Sequence, residues 1–264
     1  MPYTLDIKKK PAPPVVKKKG GFLFQNKPVK GVTLSYERAL RAVAKQIGRL
    51  IEPYKPEENL DPMSMQSLIQ ILKGYSELLG PWALNLCNNV FRSVDNADRS
   101  AWREHSKNMS VALRKELDNA PIGDKLKEIM QQNVLLIKSI PLQAAERVHG
   151  LIQENMMQSR RADEVAQMIM DTENVTKNRA TLIARTEISR SSVVLTQARA
   201  SYIGANSYIW HTSGDLIVRK SHREVNGKVF DWDSPPTLSD GTTTHPGCIY
   251  NCRCWPEPII PDAG

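Results

Sequence analysis

Three cysteines and two histidines lie close together near the end of this chain of 264 residues. The cysteines are Cys248, Cys252 and Cys254, with the spacing Cys-x3-Cys-x-Cys, and the histidines are His222 and His245. Thiolate sulfurs and imidazole nitrogens are the usual ligands of structural zinc, which takes four of them in a tetrahedron. The spacing therefore indicates one structural zinc, with His222 or His245 as the fourth ligand. In the alternative interpretation the cysteines are small buried residues, and Cys248 is free or paired with one of the others.

A set of polar residues accompanies the cysteines. Asp215 and Arg219 are four residues apart, and a bidentate pair between them would brace the loop. A second interpretation is a nuclease, in which His222 is the general base, Asp215 is a metal ligand and Asn251 orients the site. The His-Asn-His spacing of ββα-metal nucleases is missing, and no apolar strand leads into Asn251. The sequence therefore favours a protein that is not an enzyme.

Short extended segments surround this set of residues. They are predicted at Tyr208-Ile209-Trp210, Leu216-Ile217-Val218 and Lys228-Val229-Phe230. Asn226-Gly227 predicts a tight hairpin turn, because both residues tolerate positive φ. We therefore expect residues 207–264 to form a small α+β cap that is rich in loops and short strands.

Upstream of the cap, apolar residues recur at spacings of three and four from Val32 to about Ala205, which predicts helices. Residues 32–157 are assigned to a helical body and residues 158–206 to a second helical part. The expected fold class is α+β, with a mostly helical body and a small cap.

Proline and glycine set the expected helix boundaries. Pro62 opens the second helix, and Gly80-Pro81 ends it. Pro121 and Pro141 are expected to open new helices in their first turns, and an interruption is allowed at residues 95–98. Further helices are predicted for residues 162–170 and from residue 175 to about 205, with Gly204 as the C-cap.

The formal net charge of +8 is concentrated at the start of the chain. Residues 1–31 form an extended basic arm whose only acidic residue is Asp6, and its eight lysines are Lys8, Lys9, Lys10, Lys17, Lys18, Lys19, Lys27 and Lys30. The two lysine triplets could neutralise nucleic-acid phosphates without reading sequence. The alternative is a solvated basic tail.

The composition excludes several classes of protein. No apolar run reaches the 18 or more residues of a membrane-spanning helix, and Phe22-Leu23-Phe24 is too short for the core of a signal peptide. Four cysteines, three of them clustered, do not match a secreted disulfide scaffold. We therefore expect synthesis in a cytoplasm.

Motifs between residues 171 and 256 together resemble the Mu-F-like minor head proteins of tailed phages, also called head morphogenesis proteins. The matching motifs are Arg179-Ala180-x-x-Ile183-Ala184-Arg185-Thr186-Glu187, Tyr208-Ile209-Trp210, Asp215-x-x-Val218-Arg219-x-x-His222, Asn226-Gly227, Pro246-Gly247 and Asn251-Cys252-Arg253-Cys254. As structural motif residues we single out Arg185, Glu187, Trp210, Asp215, Arg219, His222, Asn251 and Arg253. Cys248 stands where we expect a polar residue in this family.

This resemblance implies a minor capsid protein that is present in few copies beside the portal, inside the capsid of the virion. Its expected partners are the portal protein, major head subunits and packaged DNA. The expected role is to assist head assembly or to accompany the DNA at delivery, and the absence of a toxin-like extension after the motif argues against a fused effector enzyme.

Overall fold

The computed structural model describes residues 30–54, 62–105, 119–158 and 162–260. The basic arm therefore lies outside the described residues, apart from the start of the first helix. The helices are α1 (Lys30–Ile51), α2 (Pro62–Leu78), α3 (Gly80–His105), α4 (Gly123–Gln158), α5 (Ala162–Met170), α6 (Thr172–Tyr202) and α7 (Lys220–Arg223), with a 3-10 turn at Glu52–Tyr54. The strands are β1 (Ser207–His211), β2 (Val229–Asp231) and β3 (Trp255–Ile259). The predicted fold class, a mostly helical body with a small α+β cap, is confirmed.

A first hydrophobic core joins the long helices. α1 packs along α6, and α4 packs against α2, α3 and α6. On α1 the buried residues recur every three or four positions, as in Tyr36, Leu40, Val43 and Ile47, so this helix turns one apolar stripe toward its neighbours. None of the described helices is long and apolar enough to cross a membrane.

A buried ion cluster joins α3 to the end of α6. The Arg199 side chain is 1% exposed, and its guanidinium donates to Asp98 and, over 2.5 Å, to Asp95. Thr196 donates its hydroxyl to Asp98 as well. Burial raises the pKa of Asp98 to about 6, although Arg199 and Thr196 oppose the shift. A shift of α6 away from α3 would leave these buried charges uncompensated, which is costly. The cluster therefore holds the end of α6 against α3.

A second hydrophobic core lies between α6 and the cap. The sheet order is β2-β1-β3, and both pairings are antiparallel. Tyr208 and Trp210 of β1 are buried with Trp232, Val193 of α6 and Trp102 of α3. The cap therefore rests on two of the long helices.

The prediction that Pro141 opens a helix was wrong, because Pro141 lies inside α4. α4 packs on α2, α3 and α6, and this tertiary packing offsets the hydrogen bond that a proline removes. The interruption that the sequence allowed at residues 95–98 does not occur, since α3 is continuous and its Asp95 and Asp98 bind Arg199.

Other helix predictions hold. The helix predicted at residues 162–170 has those bounds as α5. α2 ends at Leu78 and α3 begins at Gly80, with one residue between them, so α2 ends before Gly80-Pro81 as predicted. Gly204 follows α6 with a φ of 74°, which fits the expected C-cap.

Two predictions in the cap were also wrong. Leu216 and Ile217 lie in a turn rather than a strand and are 94% and 80% exposed. The Asp215 carboxylate accepts the backbone N–H of Ile217, and this local bond favours the turn. Asn226-Gly227 does not make a tight hairpin, because the connection between β1 and β2 is long and contains α7.

The sequence reasoning missed β3, whose sequence contains Pro256 and Pro258. This strand pairs only with β1, so it is an edge of the sheet. A proline on an edge strand can direct its missing donor away from the partner, which is why two alternate prolines are tolerated.

Candidate metal centre

Three of the proposed zinc ligands meet inside the cap. His222 lies on the one-turn helix α7, and Cys252 and Cys254 immediately precede β3. His222 Nδ1 is 3.3 Å from Cys254 Sγ and 3.5 Å from Cys252 Sγ. The ligand atoms of all three residues lie within 4.8 Å of one another, and all three residues are buried.

The chain brings these residues together through tight local turns. Gly247 has a φ of 81° and Asn251 a φ of 54°. The loop that carries the cysteines therefore turns at two residues in the left-handed conformation. The backbone N–H of Gly247 donates to Cys252 Sγ over 3.3 Å. On the other side, the ring of His222 packs edge-to-face on Trp210 of β1, with centroids 5.4 Å apart.

The two sulfurs lie in one hydrogen-bonded cluster. The bond from the Cys254 thiol, together with those from His222 and Gly247, lowers the pKa of Cys252, although burial opposes the shift. The same bond to Cys252 raises the pKa of Cys254. A thiolate beside an imidazole is the protonation state that binds a soft divalent metal ion.

The observed distances fit a tetrahedral zinc site. Bond lengths of about 2.3 Å for Zn–S and about 2.0 Å for Zn–N place ligand atoms about 3.5 to 3.8 Å apart. The two distances from His222 Nδ1, 3.3 and 3.5 Å, are near this range. His222 Nε2 is buried and has no hydrogen-bond partner, so the usual second contact of a metal-bound imidazole is missing among the described residues.

Cys248 and His245 lie apart from the three clustered ligands. Cys248 does not belong to the group whose ligand atoms lie within 4.8 Å of one another. Burial raises the pKa of the Cys248 thiol to about 12. His245 Nδ1 bonds to the Tyr208 hydroxyl over 2.9 Å, and burial lowers the pKa of this histidine. Of the two candidate histidines, the structure therefore brings His222 to the cysteines.

The predicted brace between Asp215 and Arg219 was wrong. Asp215 Oδ1 instead pairs with Nη2 of Arg253 over 2.7 Å, and Arg219 donates to the backbone carbonyl of Tyr250 over 2.8 Å. Because Arg253 lies between Cys252 and Cys254, both contacts tie the loop before α7 to the cysteine loop. The sequence spacing suggested a local pair, whereas the partners come from distant parts of the chain.

The motif residues of α6 contact other elements rather than each other. Arg185 donates through Nε to the buried carboxylate of Glu37 on α1 over 3.4 Å. Burial raises the pKa of Glu187, while Arg190 and Asn133 oppose the shift. Between them, Thr186 accepts the backbone N–H of Asn251 over 3.4 Å. Asn251 thus serves to dock the cysteine loop on α6.

Some contacts near the centre had no clear signal in the sequence. Glu257 of β3 is fully buried and bonds to His211 Nε2 over 2.7 Å. Gly247 passes close to α6, where a Cβ would lie 2.9 Å from Ser189 Oγ and 3.0 Å from Val193. Pro246-Gly247 marks a turn in the sequence, but only the fold shows what the turn contacts.

The lysines proposed to contact nucleic acid lie outside the described residues. They are Lys8, Lys9, Lys10, Lys17, Lys18 and Lys19. Their role therefore stays a prediction from the sequence.

The part of the chain that contains His222, Cys252 and Cys254 is similar to known proteins. Residues 146–256 match the family model described as "Phage Mu protein F like protein". A protein of Haemophilus influenzae described as uncharacterized is 31% identical over 201 residues, which are 75% of this chain and 44% of that protein. The chain thus spans less than half the length of this relative. No solved structure matches the chain.

Replacing Gly247 by alanine should destabilise the cap through both backbone strain and steric overlap. Gly241 is the matched control, since its φ is 82° but no atom lies within 4 Å of an added Cβ. We expect Gly241→Ala to lower the free energy of unfolding by about 1 kcal/mol from strain alone. Gly247→Ala should cost about 1 to 3 kcal/mol more, as measured by urea unfolding. Equal costs for the two variants would show that the close approach to α6 is not a constraint.

Proposed function

Because residues 146–256 match the family model of phage Mu protein F-like proteins, we propose that the chain is a structural component of the head of a tailed phage. The observation that carries this proposal is the family match itself, which includes α6, the cap and the clustered ligands. In this proposal the chain assists head assembly and does not catalyse a reaction. It is a minor capsid protein located beside the portal inside the virion, with the portal protein or major head subunits as partners.

We assign a separate role to each part of the chain. The long helices offer the surface that docks on head or portal subunits, the cap fixes the geometry of the C-terminal region, and the basic arm contacts packaged DNA. The composition of the arm supports the DNA contact, since it has eight lysines and one acidic residue. A positive charge of this size binds DNA phosphates irrespective of base sequence. In the rest of the chain the basic and acidic residues nearly balance.

The alternative of a metal-dependent enzyme acting on nucleic acid has less support. His222 would be its general base, yet this side chain is 1% exposed and its Nδ1 faces two sulfurs. Asp215 would be its metal ligand, yet it is bound to Arg253 and is not part of the metal group. A general base must reach the proton that it takes from the substrate. This arrangement suits a structural site better than a catalytic one.

We further propose that His222, Cys252 and Cys254 hold one structural zinc. The support is the burial of all three residues and the distances between their ligand atoms, and the lowered pKa of Cys252 agrees with it. Cys248, the first cysteine of the Cys-x3-Cys-x-Cys sequence, is the candidate for the fourth position, and it would have to approach the other three ligands, since it lies outside their group. The ion would cross-link α7 to the loop that precedes β3.

Elemental analysis of protein purified without chelator should find about one zinc per chain. His222→Ala and Cys252→Ser should lose this zinc, because each removes one of the ligands. The matched controls are His149→Ala, an exposed histidine of α4, and Cys87→Ala in the first core, and both should retain it. Loss of zinc in Cys248→Ser would assign the fourth ligand.

Two results would contradict the zinc proposal. One is a wild-type protein that contains no stoichiometric metal after purification from zinc-containing medium. The other is equal metal content in the wild type and in the His222→Ala and Cys252→Ser variants.

Heads purified from a phage that produces the chain without residues 1–29 should test the function and the arm together. We expect mass spectrometry to find both the wild-type and the shortened chain in heads, because the described helices and cap begin at Lys30. The shortened chain should bind DNA more weakly, and the salt dependence of binding should fall, since phosphate contacts release counterions. The control replaces the two lysine triplets by glutamine at full length.

The assignment to the phage head and the DNA-binding role of the arm are contradicted by different results. Absence of the wild-type chain from purified heads would refute the assignment to the head. Equal DNA binding by the full-length and shortened chains, across a salt titration, would refute the role of the arm while leaving the assignment to the head intact.

A further inference from the structure

A cleft of about 660 Å³ lies between α4 and α6. One wall is a face of α4 on which residues recur at spacings of three and four, and the other is the first half of α6. Its lining includes Ile140, Arg147, Glu154, Val175, Arg179 and Leu182. A cleft of this volume is in the range that takes a small ligand or a few side chains of a partner.

Two arginines line this cleft from opposite walls, Arg147 on α4 and Arg179 on α6. Both side chains are half-buried, and neither forms an ion pair with a carboxylate of the described residues. The Nε atom of each is buried against the protein without a hydrogen-bond partner, so a ligand in the cleft would meet the outer nitrogens of the guanidinium groups. A guanidinium without an ion-pair partner can donate parallel hydrogen bonds to the two oxygens of a carboxylate.

Other arginines of α6 show what these two lack. Arg185 pairs with Glu37, and Arg199 pairs with Asp95 and Asp98. In the cleft, Glu154 is the only carboxylate among the lining residues, and it already takes part in an interaction of its own. Among the described lining residues two arginines thus stand against one carboxylate, so an acidic ligand would balance the charge of the cleft.

The rest of the lining is mostly apolar. Ile140 and Leu182 contribute to the walls, and Val175 is 41% exposed at the edge. An apolar lining suits a carboxylate that is attached to apolar side chains. It suits DNA poorly, because each phosphate of DNA sits among polar sugars and needs a hydrated, open basic surface.

We propose that Arg147 and Arg179 bind carboxylates of an acidic and otherwise apolar segment of a partner protein. The segment places its acidic side chain between the two guanidinium groups and its apolar side chains against Ile140, Val175 and Leu182. This inference stands apart from the proposed role in the phage head, because the binding is a property of the purified chain.

The test is a binding titration with a short labelled peptide of leucine, alanine and glutamate, followed by fluorescence anisotropy on the full chain. The paired probe replaces each glutamate by glutamine, which removes the charge and keeps the shape. We expect the glutamate peptide to bind at least about tenfold more tightly than its glutamine counterpart. Arg147→Gln and Arg179→Gln should each remove most of this difference.

The control variant is Arg92→Gln, an exposed arginine of α3 that does not line the cleft. It should bind the glutamate peptide as the wild type does. Far-UV circular dichroism and urea unfolding verify that all variants are folded before the titration. Rescue of affinity in Arg179→Glu by a lysine-containing peptide would support the direct charge contact.

Three outcomes would overturn the inference. The first is no binding of the glutamate peptide by the wild type, and the second is equal affinity for the glutamate and glutamine peptides. The third is direct binding of a labelled short DNA duplex, or of inorganic phosphate, that depends on Arg147 and Arg179 while the glutamate peptide does not bind, which would assign the cleft to phosphate.

Discussion

The imidazole of His222 meets the sulfurs of Cys252 and Cys254 in a part of the chain that has little regular structure. The sheet of the cap has three short strands, and most of residues 212–254 lie outside helices and strands. A sheet of this size is marginal without further packing or a cross-link. Contacts between side chains must therefore set the geometry of the loops, and the His222 cluster is where the two longest loops touch.

The cap is also fixed because α6 belongs to both hydrophobic cores. Ile188 and Leu195 lie in the first core, whereas Val193 and Ala200 lie in the second. Arg199 then locks the end of the helix to α3 through two buried carboxylates. A shift of the long helices would thus be transmitted to β1 and to the ring of Trp210, against which His222 packs.

The sequence predicted features whose signals are local and missed those that depend on distant partners. Helical periodicity placed α5 and the end of α6 well, because apolar spacing and Gly204 act within the element. Pro141 misled because tertiary packing keeps α4 continuous. The pairing of Asp215 with Arg253 and the strand formed around Glu257 could not be read from spacing, since both depend on residues far away along the chain. The sequence left open which histidine joins the cysteines, and the fold brings His222 rather than His245 to Cys252 and Cys254.

The central claim is that a metal ion bound at His222, Cys252 and Cys254 holds the loops of the cap in place. Hydrogen exchange followed by mass spectrometry, with and without a zinc chelator, tests it most directly, because exchange reports local opening segment by segment. We expect the chelator to speed exchange in residues 212–259 and to leave α1 and α2 unchanged. Identical exchange in the cap with and without the chelator would contradict the claim.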